Sequence, residues 1–414
     1  MKMRKRSLIA LVAAGCVVAS MGAPATARKR HSSAPLEGEG VGLKIVANIE
    51  YAGGTDMEFL TQNGRDYALA ASAPGVGGAE KGDLHVIDIT NPEKPVLAAK
   101  LGCSLYQADV QISHDQKTAL LAADSAGGPD GCLALGKVGF LTIDISNVLK
   151  PKAIGFAETN KGSHNVTAHP KKPYVYNSNS ELTAGPGTSE IQVWSIKNPA
   201  KPKLVTTINS LPHAPHDVSF NKKGDMAVTA AISSIGLYDT SDPAAPTLVS
   251  ITQCPGCSIT HDAKFTPDGT HVIVGDEGGG GGGYPCPGGA LYFYQLQVTP
   301  AAPVLVLQGL YEPQEVILAR DGQTGPQACT SHVFDISDDG TKVAISWYSA
   351  GTRYLDVSSM VGATFGPQGT PTGVKELGWF MPEGGVTWSS KFYKGPYIYS
   401  NDEFRGFDVF KIEK

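Results

Sequence analysis

Leu84-His85-Val86-Ile87-Asp88-Ile89-Thr90-Asn91-Pro92-Glu93-Lys94-Pro95-Val96-Leu97 reads as a strand, a turn and the start of a second strand. β-Branched and other apolar residues fill the strand. Asn-Pro then opens a turn that cannot continue the ladder, because proline has no N–H to donate. The phrase returns. Phe140-Leu141-Thr142-Ile143-Asp144-Ile145 runs into Asn147 and Lys150-Pro151, and Ile191-Gln192-Val193-Trp194-Ser195-Ile196 into Asn198-Pro199-Ala200-Lys201-Pro202. Ile235-Gly236-Leu237-Tyr238-Asp239 leads to Asp242-Pro243-Ala244-Ala245-Pro246, and Leu291-Tyr292-Phe293-Tyr294 to Thr299-Pro300-Ala301-Ala302-Pro303. The turns start at residues 91, 147, 198, 242 and 299, a period of roughly fifty residues that marks a repeat architecture.

Upstream of each phrase lie two more apolar stretches separated by a polar turn, as in Asp217-Val218-Ser219-Phe220, Asn221 to Asp225, then Met226-Ala227-Val228-Thr229. Each unit thus has four strands, A to D. One such unit cannot bury both of its faces, whereas units packed radially around an axis can. A sixth unit is legible in Val333 to Ile336, Val343 to Trp347 and Tyr354 to Val357. A seventh, in Val386 to Phe392, Tyr397 to Ser400 and Phe407 to Ile412, lacks its outer strand. Leu43 to Ile49 is left over at the other end and supplies it. The expectation is an all-β, seven-bladed β-propeller closed by an N-terminal strand, with six blades plus an accessory strand as the alternative. The 49 glycines, 28 prolines and 18% charged residues suit short strands and tight turns rather than long salt-bridged helices.

Residues 1–27 read as a secretory signal: Lys2, Arg4, Lys5 and Arg6, an apolar run from Leu8 to Ala19, and the small-residue pattern Ala25-Thr26-Ala27. Residues 28–41 then form a flexible lead-in and 42–414 a single propeller domain. The expected location is extracellular. The alternative is a lipid anchor on Cys16 in Ala13-Ala14-Gly15-Cys16. No other stretch approaches the ~18 uncharged apolar residues of a spanning helix. A net charge of −5 offers no basic field for nucleic acid, and a monomer acting on a small molecule is expected. Cys103, Cys132, Cys254, Cys257, Cys286 and Cys329 form an even set in an exported chain, which argues for disulfides. The preferred pairs are Cys103 with Cys132, Cys254 with Cys257, and Cys286 with Cys329.

The Ile-Asp-Ile and Asn-Pro-x-Lys-Pro phrase resembles the LVIVD-repeat family of exported propeller proteins, most strongly in the first four units. The resemblance implies the fold more firmly than a function, because propellers host many chemistries. More distantly, the chain looks like selenium-binding-protein-type propellers, some of which are copper-dependent methanethiol oxidases; no specific motif of theirs aligns here.

One column of the repeat carries chemistry. At the start of strand A, units three to six hold His164, His216, His261 and His332, while units one, two and seven hold Thr55, Ala108 and Trp388. Strand A is innermost, so these four imidazoles are expected to converge near the axis at one mouth of the channel. Imidazole is a common ligand for copper, iron and zinc, and copper or iron is favoured here. Four-histidine iron sites on propeller axes exist in the carotenoid oxygenase family, a parallel of architecture without sequence match. Asp217, Asp262 and Glu277 are the candidate proton-transferring carboxylates, and His213, Asp109 and Asp276 candidate orienting partners. Asp124 and Asp402, which end strands B of units two and seven, belong to the same mouth. His85, His114, His169 and His271 are placed elsewhere. The Gly278 to Gly283 run lacks a phosphate-loop continuation and reads as a flap. The leading function is a metal-dependent oxidoreductase. The rivals are a non-enzymatic scaffold that binds a protein or cell-wall partner, and a lactonase-type hydrolase, which wants oxygen-rich coordination that imidazoles fit poorly.

Overall fold

Seven antiparallel sheets appear in the computed structural model, five joined in chain order from inner to outer strand and two completed on the outside by N-terminal strands. The structure describes residues 36–124, 136–179, 190–209, 215–278, 288–314, 316, 329–360 and 373–414. Blade 1 is built of Gly54–Gln62, Arg65–Ser72, Asp83–Asp88 and Val96–Gly102, so the opening phrase is its strands C and D. Blades 2 to 5 repeat the pattern with inner strands Gln107–Ile112, Asn165–Ala168, Asp217–Phe220 and Thr260–Phe265. Inner strands Phe334–Ile336 and Thr387–Phe392 begin blades 6 and 7. The seven-bladed reading holds and the six-bladed alternative does not.

The ring closes as the leftover strand implied. Leu43–Glu50 pairs antiparallel with Gly406–Ile412 as the outer strand of blade 7, Leu43 opposite Ile412 and Glu50 opposite Gly406. The seam is buried as well as hydrogen-bonded, because Leu43 and Ile45 pack with Phe380, Ile398 and Phe410. Two strands escape the sequence reading. Lys375–Pro382 is the outer strand of blade 6, and Gly38–Val41, assigned above to the flexible lead-in, pairs with it as a fifth strand.

Between blades the core is continuous. Leu69, Leu84 and Val86 of blade 1 pack against Val110, Leu121 and Leu141 of blade 2, all fully buried, and each such side chain contributes about 1.5–3 kcal/mol. Burial falls toward the rim: Val96 and Leu97, on outer strand D, are exposed. The face polarity is therefore radial, as the repeat requires.

Candidate metal centre

Each inner strand begins with an extra residue. The A–B ladders of blades 1, 2, 5 and 7 shift register between Gly54 and Met57, Gln107 and Val110, Thr260 and Asp262, and Thr387 and Ser389. In blades 3 and 4 the N–H groups of His164 and His216 donate to Ser178 and Ala230, the residues that also face Asn165 and Asp217. Such a bulge sets two consecutive residues against one and re-aims a side chain that strict alternation would turn away. Both His261 and Asp262 consequently line the axial cavity. The histidine column forms one layer and the residues after it form the next.

The four imidazoles meet as an arc. Ring centroids lie 4.4 Å apart from His164 to His216, 4.2 Å from His216 to His261 and 4.1 Å from His261 to His332. His216, His261 and Glu277 bring one ligand atom each within 4.8 Å of one another, and all three are buried. Glu277 leaves strand B of blade 5 and reaches between two rings, 3.9 Å from His261 Nε2 and 3.8 Å from His332 Nε2. Its Oε1 accepts a 2.7 Å hydrogen bond from the Tyr348 hydroxyl. The arc's ends are held differently. His164 contacts Asp124 through Nδ1 at 2.9 Å and Gln107 through Nε2 at 3.3 Å, while His332 Nδ1 donates to the Trp388 carbonyl at 2.6 Å. The tightest donor group is thus two histidines and a glutamate, with His332 beside it and His164 turned partly to its own partners.

Burial sets the charge state. It pushes His216 and His261 well below the ordinary histidine value, reinforced by the neighbouring imidazoles, and takes His332 down to about 4. Neutral imidazole is the ligating form. Nδ1 of His216 and of His261 has no hydrogen-bond partner among the described residues. An orphaned ring nitrogen in a desolvated place has a cost that a metal ion relieves. The donor set, imidazole with one carboxylate, suits a transition metal better than calcium.

The backbone is strained around the same group. Tyr348 has φ 43°, and Gln107 and Ala108 have φ 77° and 52°, a left-handed conformation that costs a non-glycine residue about 1–3 kcal/mol. Neither Tyr348 nor Gln107 emerges from the sequence reading. Each has a signal there: Tyr348 sits in a B–C turn, which faces this mouth, and Gln107 precedes Ala108 in the histidine column. Glu403, in the corresponding turn of blade 7, is pushed up to about 8 by burial, with Asp402 and Glu277 adding to the effect.

The other expected residues spread out. Asp124 reaches His164 as a partner. Asp276 instead accepts backbone N–H groups of Ser258 and Ile259 at 2.8 Å, bracing the loop before His261. Asp217, Asp262 and Asp109 lie one layer down, in the channel wall. Asp402 caps its own turn through Phe404 and Arg405 N–H. His213 and most of the Gly278 to Gly283 run lie outside the described residues. His85 stacks on Tyr51, His169 bonds Gly224, and His271 starts strand B of blade 5, all away from the arc. Cys254 and Cys257 form a disulfide in the loop that leads to His261. Cys103 and Cys329 are disulfide-bonded too, while Cys132 and Cys286 lie outside the described residues.

The LVIVD-repeat family matches residues 78–101, the strand-turn-strand phrase of blade 1. The chain is a β-propeller that carries an LVIVD repeat. Among solved structures, this propeller is similar to a functionally unknown protein from Desulfotomaculum acetoxidans, at 15% identity and TM-score 0.52 over 78% of this chain and 84% of that one. It is also similar to the Cps50 (Swd1) β-propeller domain of Myceliophteria thermophila, at 10% identity and TM-score 0.61 over 89% of this chain and all of that one. These likenesses establish the fold. No curated relative matches this propeller, and no helix among its described residues is long and apolar enough to cross a membrane.

Proposed function

We propose that this chain is an exported metalloprotein whose His216–His261–Glu277 group, flanked by His332 and His164, binds a copper or iron ion for oxidation or reduction of a small molecule. One observation carries the reading: four imidazoles from four successive blades sit edge-on or tilted with ring centroids 4.1–4.4 Å from their neighbours, with a buried carboxylate among them. A bound copper or iron ion would supply one-electron chemistry there. The chain's own residues set the rest. Burial keeps His216, His261 and His332 neutral, Asp124 and the Trp388 carbonyl orient the outer two rings of the arc, and Tyr348 holds one Glu277 oxygen in place. The strain at Tyr348 and Gln107 supports a functional reading, since such conformations persist where the surroundings over-determine them.

Elemental analysis of protein purified without a histidine tag tests this. About one equivalent of copper or iron per chain is expected. Metal-free protein that stays metal-free when supplied with either ion would leave the scaffold reading in its place. Export is tested separately: the mass of the exported chain should begin at Arg28, and an acylated Cys16 would replace the cleaved form with an anchored one.

A further inference from the structure

Beneath the histidine layer the axis opens into a cavity of about 500 Å³, lined from Pro170, Asn221 and Pro267 in the A–B turns up to His261. Its wall is acidic. Asp56, Glu58, Asp109, Asp217, Asp262 and Asp335 face two deep lysines, Lys264 and Lys391, with Lys222 at the rim.

The two deep lysines show how this channel holds an ammonium group. Lys391 Nζ sits 2.9 Å from Asp56 Oδ1 and 2.9 Å from Glu58 Oε1, and donates to the Met57 carbonyl at 2.7 Å. Lys264 Nζ donates to Asp262 Oδ2 at 2.7 Å and to the Phe334 carbonyl. Both serve the side formed by blades 5, 6, 7 and 1. On the facing side, blades 2 to 4 present Asp109, Asn165 and Asp217, with Gln111, Thr167 and Ser219 one step further along each strand. These three inner strands carry no basic residue; Asp109 accepts the Val166 N–H at 2.8 Å and Asp217 that of Val218 at 2.7 Å, and the deep lysines act on both from across the channel. In that sector Asn165 Oδ1 is buried with no hydrogen-bond partner among the described residues, in a residue 9% exposed. Burying such acceptors unmet is costly, and a donor arriving from outside removes the cost.

The geometry favours an organic cation over a metal ion. Among the described histidine, cysteine and acidic residues, the one set whose ligand atoms come within 4.8 Å of one another is at the histidine layer. The channel carboxylates are spread around a wall wide enough for a short carbon chain. Phe59, Phe392 and Tyr393 line the cavity too, giving that chain apolar and π surface. We infer that the channel sector walled by Asp109, Asn165 and Asp217 binds the ammonium group of a small aliphatic amine, completing the pattern that Lys264 and Lys391 complete opposite.

Calorimetric titration of the disulfide-bonded chain with 1,4-diaminobutane tests this, with 1,4-butanediol as the neutral isostere and calcium chloride as the inorganic cation. Saturable diamine binding is expected, with no binding of the diol. Asp109→Asn and Asp217→Asn should each weaken it about tenfold or more, the loss of one charge-assisted hydrogen bond. Asn165→Asp, which adds a carboxylate to the same wall, should tighten it, so the test survives if an aspartate variant fails to fold. Chelated, metal-free protein should bind the diamine equally well. Absence of diamine binding at millimolar concentration, equal binding of the diol, calcium binding in place of the amine, or an Asn165→Asp variant that binds no more tightly than the parent would each overturn the assignment.

Discussion

Asp276 and Glu277 are adjacent in sequence and opposite in role. Both end strand B of blade 5, and the repeat register marks both as mouth carboxylates, but consecutive residues at a strand end point to different sides. One therefore braces the Ser258–Ile259 backbone while the other reaches the imidazoles. The four-histidine column was legible because the repeat multiplies one position four times. Tyr348 was not, because its reach depends on a left-handed turn that no residue type announces. Gly289 lets the chain pass close to the backbone just before Glu277: it has φ 61°, and a Cβ there would lie 2.0 Å from the Asp276 carbonyl. At this scale, His216→Ala, His261→Ala and Glu277→Gln should each lower metal occupancy at least tenfold, on the order of the ~1.4 kcal/mol per decade that one lost ligand exceeds. His85→Ala and His271→Ala should leave it unchanged, as read by metal analysis of folded protein. The same imidazoles give the metal-free chain a pH dependence. Burial holds His332 and His85 at about 4, against ~6.5 in an unfolded chain. The unfolded state then binds more protons between those values. Stability is fully present above about pH 6.5, falls as pH drops toward 4, and levels off below it. Urea midpoints across that window should decline, less so in a His85→Gln variant.

Two N-terminal strands do different work at the scale of elements. Leu43–Glu50 alternates buried and exposed residues and completes blade 7, and its alternation is what made it readable. Gly38–Val41 is exposed at every position, so no hydrophobic pattern marks it, and it adds backbone pairing to an edge. Lys375–Pro382 was missed for another reason: nineteen positions after Asp356, it follows no five-residue turn closed by a proline at or just before the strand, the kind that flags the outer strand in each of the first five blades. The energetics should separate the first two. Ile45 is 4% exposed among Phe380, Ile398 and Phe410, so Ile45→Ala should cost about 2–4 kcal/mol. Deleting residues 36–41 should cost less, because it exposes little apolar surface. Removing Leu43–Glu50 opens the seam between first and last blades, and the whole ring should then melt earlier in one transition. A truncated chain that melts like the intact one would disprove the closure.

At the scale of the whole molecule, the ion and the ring answer to different forces. Each blade is held to the next by buried clusters such as that shared by blades 1 and 2, and the circle is closed by the Leu43–Glu50 ladder. The donor group spans only two neighbouring blades, His216 on one and His261 with Glu277 on the next. An ion there joins parts that strands and packing already join, so it is not the element that makes the fold possible. Mass action sets what it adds: ~4 kcal/mol at a thousandfold excess over Kd, if the unfolded chain does not bind. For a chain this long, that amounts to several degrees of melting temperature, by the ~2–4 °C per kcal/mol seen at somewhat smaller sizes. Chelation should therefore lower the melting temperature by several degrees while leaving the near-ultraviolet circular dichroism native, and adding copper or iron back should restore the loss. Collapse of the near-ultraviolet signal on chelation would mean that the ion, and not the N-terminal strand, staples the ring. The neutral, partly orphaned imidazoles argue against that outcome, since burial already holds His216 and His261 uncharged and ready to bind without any rearrangement of the blades.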